Sequence, residues 1–156
     1  MEVAGLPLHP LVVHATVVFV PLSAVASAVF ALVPRWRWLL RWPTWLLAIG
    51  ATLTAWVARL SGNALLADRP ELRPLVRVHE QRGELLTLVV LGYLLLVLVG
   101  AWSLSGTSPL ASGRGAREAQ VPALEKVLPA LVVLAALVVL VLVVLTGDSG
   151  SRAVWG

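Results

Sequence analysis

Cysteine is absent from all 156 residues, and that one absence removes disulfides, thiolate catalysis, cysteine-bound zinc and iron–sulfur clusters from consideration. Charge is scarce too. Asp, Glu, Lys and Arg make up 13% of the chain against 59% hydrophobic residues, whereas soluble domains run near a quarter charged. Histidine occurs three times, so proton or ligand chemistry has few side chains to use. Phosphate-binding loops, dinucleotide fingerprints and a glycosidase-like carboxylate pair are missing as well.

What the chain has in quantity is apolar sequence, and it is segregated. Four runs stand out: Leu11 to Val33, with His14 as its one ionisable residue, Trp42 to Ala58, Leu85 to Leu104, and Val127 to Thr146. Each is about 17 to 23 residues, enough at roughly 1.5 Å per residue to cross a hydrocarbon core of about 30 Å. Lipid offers backbone amides no partners, and the period-two alternation of a barrel is lacking, so the spans are helical. The fold class predicted is an all-α integral membrane four-helix bundle. It is one transmembrane domain over residues 1–156, with helices at about 11–33, 42–60, 83–104 and 127–146.

Twelve Lys and Arg residues against eight acids give a net charge of +4. The basic residues sit in short blocks beside apolar runs and Trp, which marks juxtamembrane contact with anionic lipid and not nucleic-acid binding. The Val25-Ala26-Ser27-Ala28 stretch looks like a signal-peptidase site. No basic residue precedes Arg35 and the apolar run continues to Val33, so the first run is expected to stay as a helix. Basic residues divide six and six between the two sides; the three that trail helix one decide for both termini outside. Trp36, Trp38, Trp42, Trp45 and Trp102 fall on the loop-one side, as an interfacial belt requires.

Small residues at Ala24, Ser27 and Ala28, and at Gly50, Thr54 and Ala58, predict close packing of the first two helices. Helix four is nearly pure Val, Leu and Ala and is expected to face lipid most. Pro21 is expected to kink helix one. Ser105 to Gly115 is rich in Gly and Ser and reads as a mobile loop. Pro70 and Pro74 break the helical face of Arg69, Arg73 and Arg77, so residues 65–82 read as a short interfacial segment ahead of helix three.

Four spans bring His9, His14, Ser61, Asn63, His79, Glu80, Asp148 and Arg152 to the outer face. His14 lies inside the first turns of helix one, where ionisable residues usually face the bundle. His79 aligns with Gly83, Leu86, Val90 and Tyr93, and Gly83 is expected to leave room for its ring. A His from each of two helices at similar depth is the arrangement that holds a b-type haem through neutral imidazoles. The haem ligands expected are His14 and His79, with His9 nearby and Arg82 and Arg152 for the propionates. Alternatively, His9, His14 and His79 bind Cu or Zn with Asp148 or Glu80 as a further ligand. The plain alternative is that the three histidines only bond helix ends and no cofactor binds. Gly147-Asp148-Ser149-Gly150 mimics the stretch around a serine-protease nucleophile, but no soluble strands exist to build that fold, and Gly147 reads as a helix C-cap.

Leu8-His9-Pro10-Leu11-Val12-Val13-His14 resembles the opening of a bacterial membrane family catalogued as domain of unknown function 2231. Ser61-Gly62-Asn63, His79 with Gly83, and Gly147-Asp148-Ser149-Gly150 followed by Ala153-Val154-Trp155-Gly156 are similar to its later landmarks. Ala15-Thr16 departs from the Phe-Pro that often follows the second His there. The resemblance implies a four-helix membrane fold, a bacterial inner-membrane location, and His9, His14, His79 and Asp148 as landmark residues; it implies no activity. The function expected is a small multi-pass protein binding haem b or a metal at its outer face for electron transfer, with a membrane redox partner. The alternative is a non-catalytic bundle that assembles through its small-residue faces with partner membrane proteins or with copies of itself.

Overall fold

Each apolar run becomes a helix, and each helix outlasts its run. The computed structural model describes residues 2–3 and 6–156. A two-residue antiparallel ladder, β1 (Glu2–Val3) with β2 (Leu6–Pro7), precedes the bundle. Four helices follow: α1 (Leu8–Leu32), α2 (Arg37–Asp68), α3 (Arg73–Ser103) and α4 (Leu128–Trp155). All four are long and apolar enough to cross a membrane. At 32 residues, α2 is roughly 48 Å long, well beyond a hydrocarbon core of about 30 Å. Its ends therefore stand in the interface or in water.

Three boundaries differ from the sequence expectation. The segment over 65–82 is the end of α2, a 3-10 turn at Pro70–Leu72, and the first turns of α3. Pro70 and Pro74 do not interrupt a helix. They sit at helix starts, where the missing N–H has no partner to lose. Gly147 is not a cap either, because α4 runs through Gly147–Gly150 to Trp155. Helix α1 spans Leu8–Leu32 with Pro21 inside it.

The helices close a ring in chain order, α1 on α2, α2 on α3, α3 on α4 and α4 back on α1. Small residues fill the middle, among them Ala24 and Ala31, Ala48, Ala51 and Ala55, Ala101 and Ala136. Large ones such as Leu46, Leu53, Leu95 and Leu134 point outward. A soluble protein would place them the other way; in lipid, association comes from close backbone approach and outward leucines cost nothing. Helix α4 is the least buried of the four, as its plain composition predicts. The α2 stripe that meets the centre is Thr44, Ala48, Ala51, Ala55 and Ala58. Gly50 lies beside it, against the Phe19 ring of α1, where an added Cβ would sit 3.0 Å from the ring.

A polar knot crosses the centre. The Tyr93 hydroxyl on α3 lies 2.7 Å from Ser23 Oγ and 2.8 Å from Ser27 Oγ on α1, and Ser27 donates to the Ala24 carbonyl. One direction satisfies every proton: Ser23 donates to Tyr93, Tyr93 to Ser27, and Ser27 to Ala24.

The tryptophan end is closed by arginine. Arg37, only 3% exposed, donates to the Phe30 and Ala31 carbonyls at the C-terminus of α1, to the Ser105 carbonyl and to Glu125. Arg41 does the same for α3 through the Ala101 and Leu104 carbonyls. These bonds answer the orphan carbonyls that every helix end leaves. The glycine-rich loop is held here and is not a free tether. Gly106 and Arg117 exchange backbone bonds, Gly106 lies against Arg37, and Gly115, with φ of 87°, lies against Trp38.

Candidate functional site

The opposite end of the bundle carries two histidines placed alike. His9 stands in the first turn of α1, and its Nδ1 lies 2.8 Å from the Ala58 carbonyl oxygen of α2. His79 stands on α3, and its Nδ1 lies 2.9 Å from the Thr146 carbonyl oxygen of α4. A carbonyl only accepts, so each Nδ1 carries a proton and, in the neutral ring, each Nε2 presents a lone pair. Among the described residues neither Nε2 has a hydrogen-bond partner. A backbone carbonyl fixing Nδ1–H is how proteins orient an imidazole that ligates through Nε2.

The neighbouring helix shapes each ring's seat. A Cβ at Gly62 would come 3.1 Å from His9 Cε1, and one at Gly150 would come 2.9 Å from His79 Nδ1. A side chain at Gly150 would displace the His79 ring, and one at Gly62 would press the His9 ring by a few tenths of an ångström. Ser61 Oγ donates to the Ala58 carbonyl at 3.0 Å, and Ser149 Oγ donates to the Thr146 carbonyl at 2.9 Å. The two rings meet edge to face, with centroids 6.0 Å apart and planes at 73°.

A cavity of about 250 Å³ opens beside the pair, lined by all four helices. Its walls are mainly apolar, with Leu66 and Val76 among them, and Arg59, Asn63, Glu80 and Glu84 supply the polar edge. Arg59 reaches Glu84 across α2 and α3 at 2.6 Å, so the one arginine of the cavity already has a carboxylate partner.

Several expected site residues lie elsewhere. His14 is exposed and turned away from the bundle, its Nδ1 bonded to the Pro10 carbonyl one turn back at 2.6 Å. The buried face of α1 is the Thr16, Val20, Ser23, Ser27 stripe, and His14 falls off it. The imidazole that meets His79 is His9. Gly83 makes no room for His79, its nearest neighbour being Thr146; Gly150 does that. Arg82 donates to the Leu145 carbonyl, and Arg152 and Asp148 pair with each other on the exposed side of α4. Among the described residues no group of three or more His, Asp or Glu is placed to hold a metal ion, so the expected four-residue set of His9, His14, His79 and Asp148 does not assemble.

The profile of the family described as predicted membrane protein DUF2231, domain of unknown function 2231, matches residues 5–156. The chain belongs to this family. The DUF2231 match spans all three histidines, Ser61-Gly62, Ser149-Gly150 and all four helices, so the whole bundle is the family's unit. No curated protein and no solved structure matches the chain.

Sequence reasoning passed over Arg59, Ala58 and Thr146, and it named Gly62 and Gly150 without assigning them a ring to seat. A partial signal was present: of the four Ser-Gly dipeptides, Ser61-Gly62 and Ser149-Gly150 lie near the ends of the second and fourth spans, on the side of the histidines, while those at 105–106 and 112–113 lie in the loop at the other end.

Proposed function

We propose that this multi-pass membrane protein holds a b-type haem through His9 and His79 and serves electron transfer in the bacterial inner membrane, with both termini outside. The observation that carries the reading is the paired imidazoles, each held by Nδ1 to a carbonyl, with both Nε2 atoms free. An imidazole nitrogen binds a first-row metal at about 2.0 Å, and the ring centre lies about 1 Å beyond, so two rings flanking one metal stand roughly 6 Å apart. The observed 6.0 Å fits that spacing. The iron would supply the one-electron chemistry. The chain's own residues set ligand orientation and line the site with an apolar wall, and Arg59, paired with Glu84 here, is the cavity cation that would be available to a propionate.

The cavity volume favours a second reading. About 250 Å³ is less than the roughly 300 Å³ or more of pockets that hold drug-sized ligands, so a porphyrin would need the helices around the cavity to move apart. A single copper ion between the two imidazoles needs no such movement and suits nitrogen ligands. Zinc wants about four ligands, more than the pair provides. Oxidised and reduced absorption spectra, with metal analysis of the same purified sample, separate these. A Soret band with sharp reduced bands supports haem, and copper at about one per chain without colour supports the ion. A protein free of both would overturn the cofactor reading and leave an assembly role for the bundle.

A further inference from the structure

The two halves of the histidine site agree in more than appearance, and the agreement extends along the whole bundle. Shifting α1 by 70 positions takes His9 to His79, and it takes six of the seven buried residues of α1, Thr16, Val20, Ser23, Ser27, Phe30 and Ala31, to the buried residues Leu86, Val90, Tyr93, Val97, Gly100 and Ala101; the seventh, Ala24, falls on the half-buried Leu94. Shifting α2 by 88 positions takes Ala58, Ser61 and Gly62 to Thr146, Ser149 and Gly150. The same shift takes Thr44, Ala48, Ala51 and Ala55 to Val132, Ala136, Val139 and Val143, again all buried. Most inward positions of the two hairpins thus share one register, with Thr52, Leu66 and Thr87 among the exceptions, although few residues are identical.

We infer that the chain is two α-hairpin units, α1–α2 and α3–α4, related by a two-fold axis along the bundle, and that His9 and His79 form an on-axis site for one metal centre that meets both Nε2 atoms alike. Parallel repeats about an axis along the membrane normal are an established way to build membrane proteins. The ligand part deepens the cofactor reading above and rests on it; the two-fold part does not.

Equivalent residues that touch each other must lie at the axis, and three such pairs do. Ser23 meets its equivalent Tyr93 at 2.7 Å. Arg37, shifted by 88, falls on Glu125, its partner at 3.4 Å. Both are unlike pairs of complementary chemistry, for a simple reason: two arginines would repel at an axis, and two tyrosines would collide. His9 with His79 is the like pair, 6.0 Å apart. The two imidazoles contact each other edge to face, and a ligand on the axis would draw on both through their unpartnered Nε2 atoms. The two-fold also makes Ser61 and Gly62 the counterparts of Ser149 and Gly150, so these four are positioning residues for one site.

The test exchanges the central knot across the axis in the full-length protein. If the two-fold holds, the quadruple variant S23Y, S27V, Y93S and V97S puts the tyrosine on α1 and its serine partners on α3 in the same space. Its thermal midpoint should stay within about 3 °C of the wild type, while Ser23→Tyr alone should lower it by more than about 5 °C. A quadruple variant as unstable as the single one would overturn the two-fold. These midpoints need no cofactor, so a colourless protein would sink the haem reading without touching this arm. For the ligand, Gly62→Ala and Gly150→Ala should each weaken binding of the metal centre by a similar factor, about tenfold, with thermal midpoints near the wild type. One substitution silent and the other abolishing binding, or a wild-type chain free of any metal centre, would overturn the on-axis ligand.

Discussion

Three histidines occupy one end of the bundle, and their surroundings sort them. His9 and His79 are each held by a carbonyl and seated on a glycine, while His14 faces outward with only its own helix as partner. Alanine at His9 or His79 should therefore remove the cofactor, and alanine at His14 should leave both the cofactor content and the thermal midpoint unchanged. Sequence reasoning picked His14 because an ionisable residue in an apolar run is expected to turn inward. What decided otherwise is a residue or two of helical phase. His14 lies near enough to the helix start for the Pro10 carbonyl of the same helix to satisfy it, and His9, five residues earlier and so roughly 140° around the helix, lands on the inner face. At the other end, Arg37 bonds four acceptors from inside the protein. Arg37→Met should cost about 3 kcal/mol in denaturant unfolding, because it strands Glu125 and two helix-end carbonyls together. Partial burial works to raise the Glu125 carboxyl, but the Ser105 amide and the Arg37 guanidinium outweigh it and hold the group below its usual 4.5. A carboxyl lowered on folding stabilises the fold above its unfolded value and ceases to as pH falls through the folded one. Stability should then decline as pH drops below about 4.5, and Glu125→Gln should flatten that decline.

At the scale of elements, the four spans and their all-helical nature were readable because the bilayer imposes length and composition directly. The helix ends were not, since a hydropathy run records where lipid stops and not where the hydrogen-bond ladder stops. Helix α4 shows this best. Its apolar run ends near Thr146, yet the ladder continues through Gly147 to Trp155, which brings Gly150 against His79. Gly147 has open space where a Cβ would go. Gly147→Ala should stabilise the protein by about 0.5–1 kcal/mol, as glycine does poorly inside a helix; a loss of stability would mean that the helix ends there after all. The knot on Tyr93 gives a second measure. Tyr93→Phe removes the central hydroxyl and leaves Ser23 without a partner, at a cost of about 1 kcal/mol in the same unfolding measurement.

Taken whole, the molecule has two unlike ends and a small-residue centre. Arginine and tryptophan seal one end and anchor it at the interface, while the other end opens as a cavity beside two poised imidazoles. The sequence brought His9 and His79 to one end of the bundle but did not single out His9 over His14 as the partner of His79. That pairing depends on α1 and α3 standing diagonally opposite and on two hairpins sharing most of one inward register with few residues in common. The account stands or falls on whether that pair holds a redox centre. The deciding measurement is the dithionite-reduced-minus-oxidised absorption spectrum of the detergent-purified protein, expressed with ample haem, beside His9→Ala, His79→Ala and His14→Ala. Sharp α and β bands at about one haem per chain, lost in the first two variants and kept in the third, are the predicted result. A flat difference spectrum for the wild type, or bands that survive in both His9→Ala and His79→Ala, would contradict it.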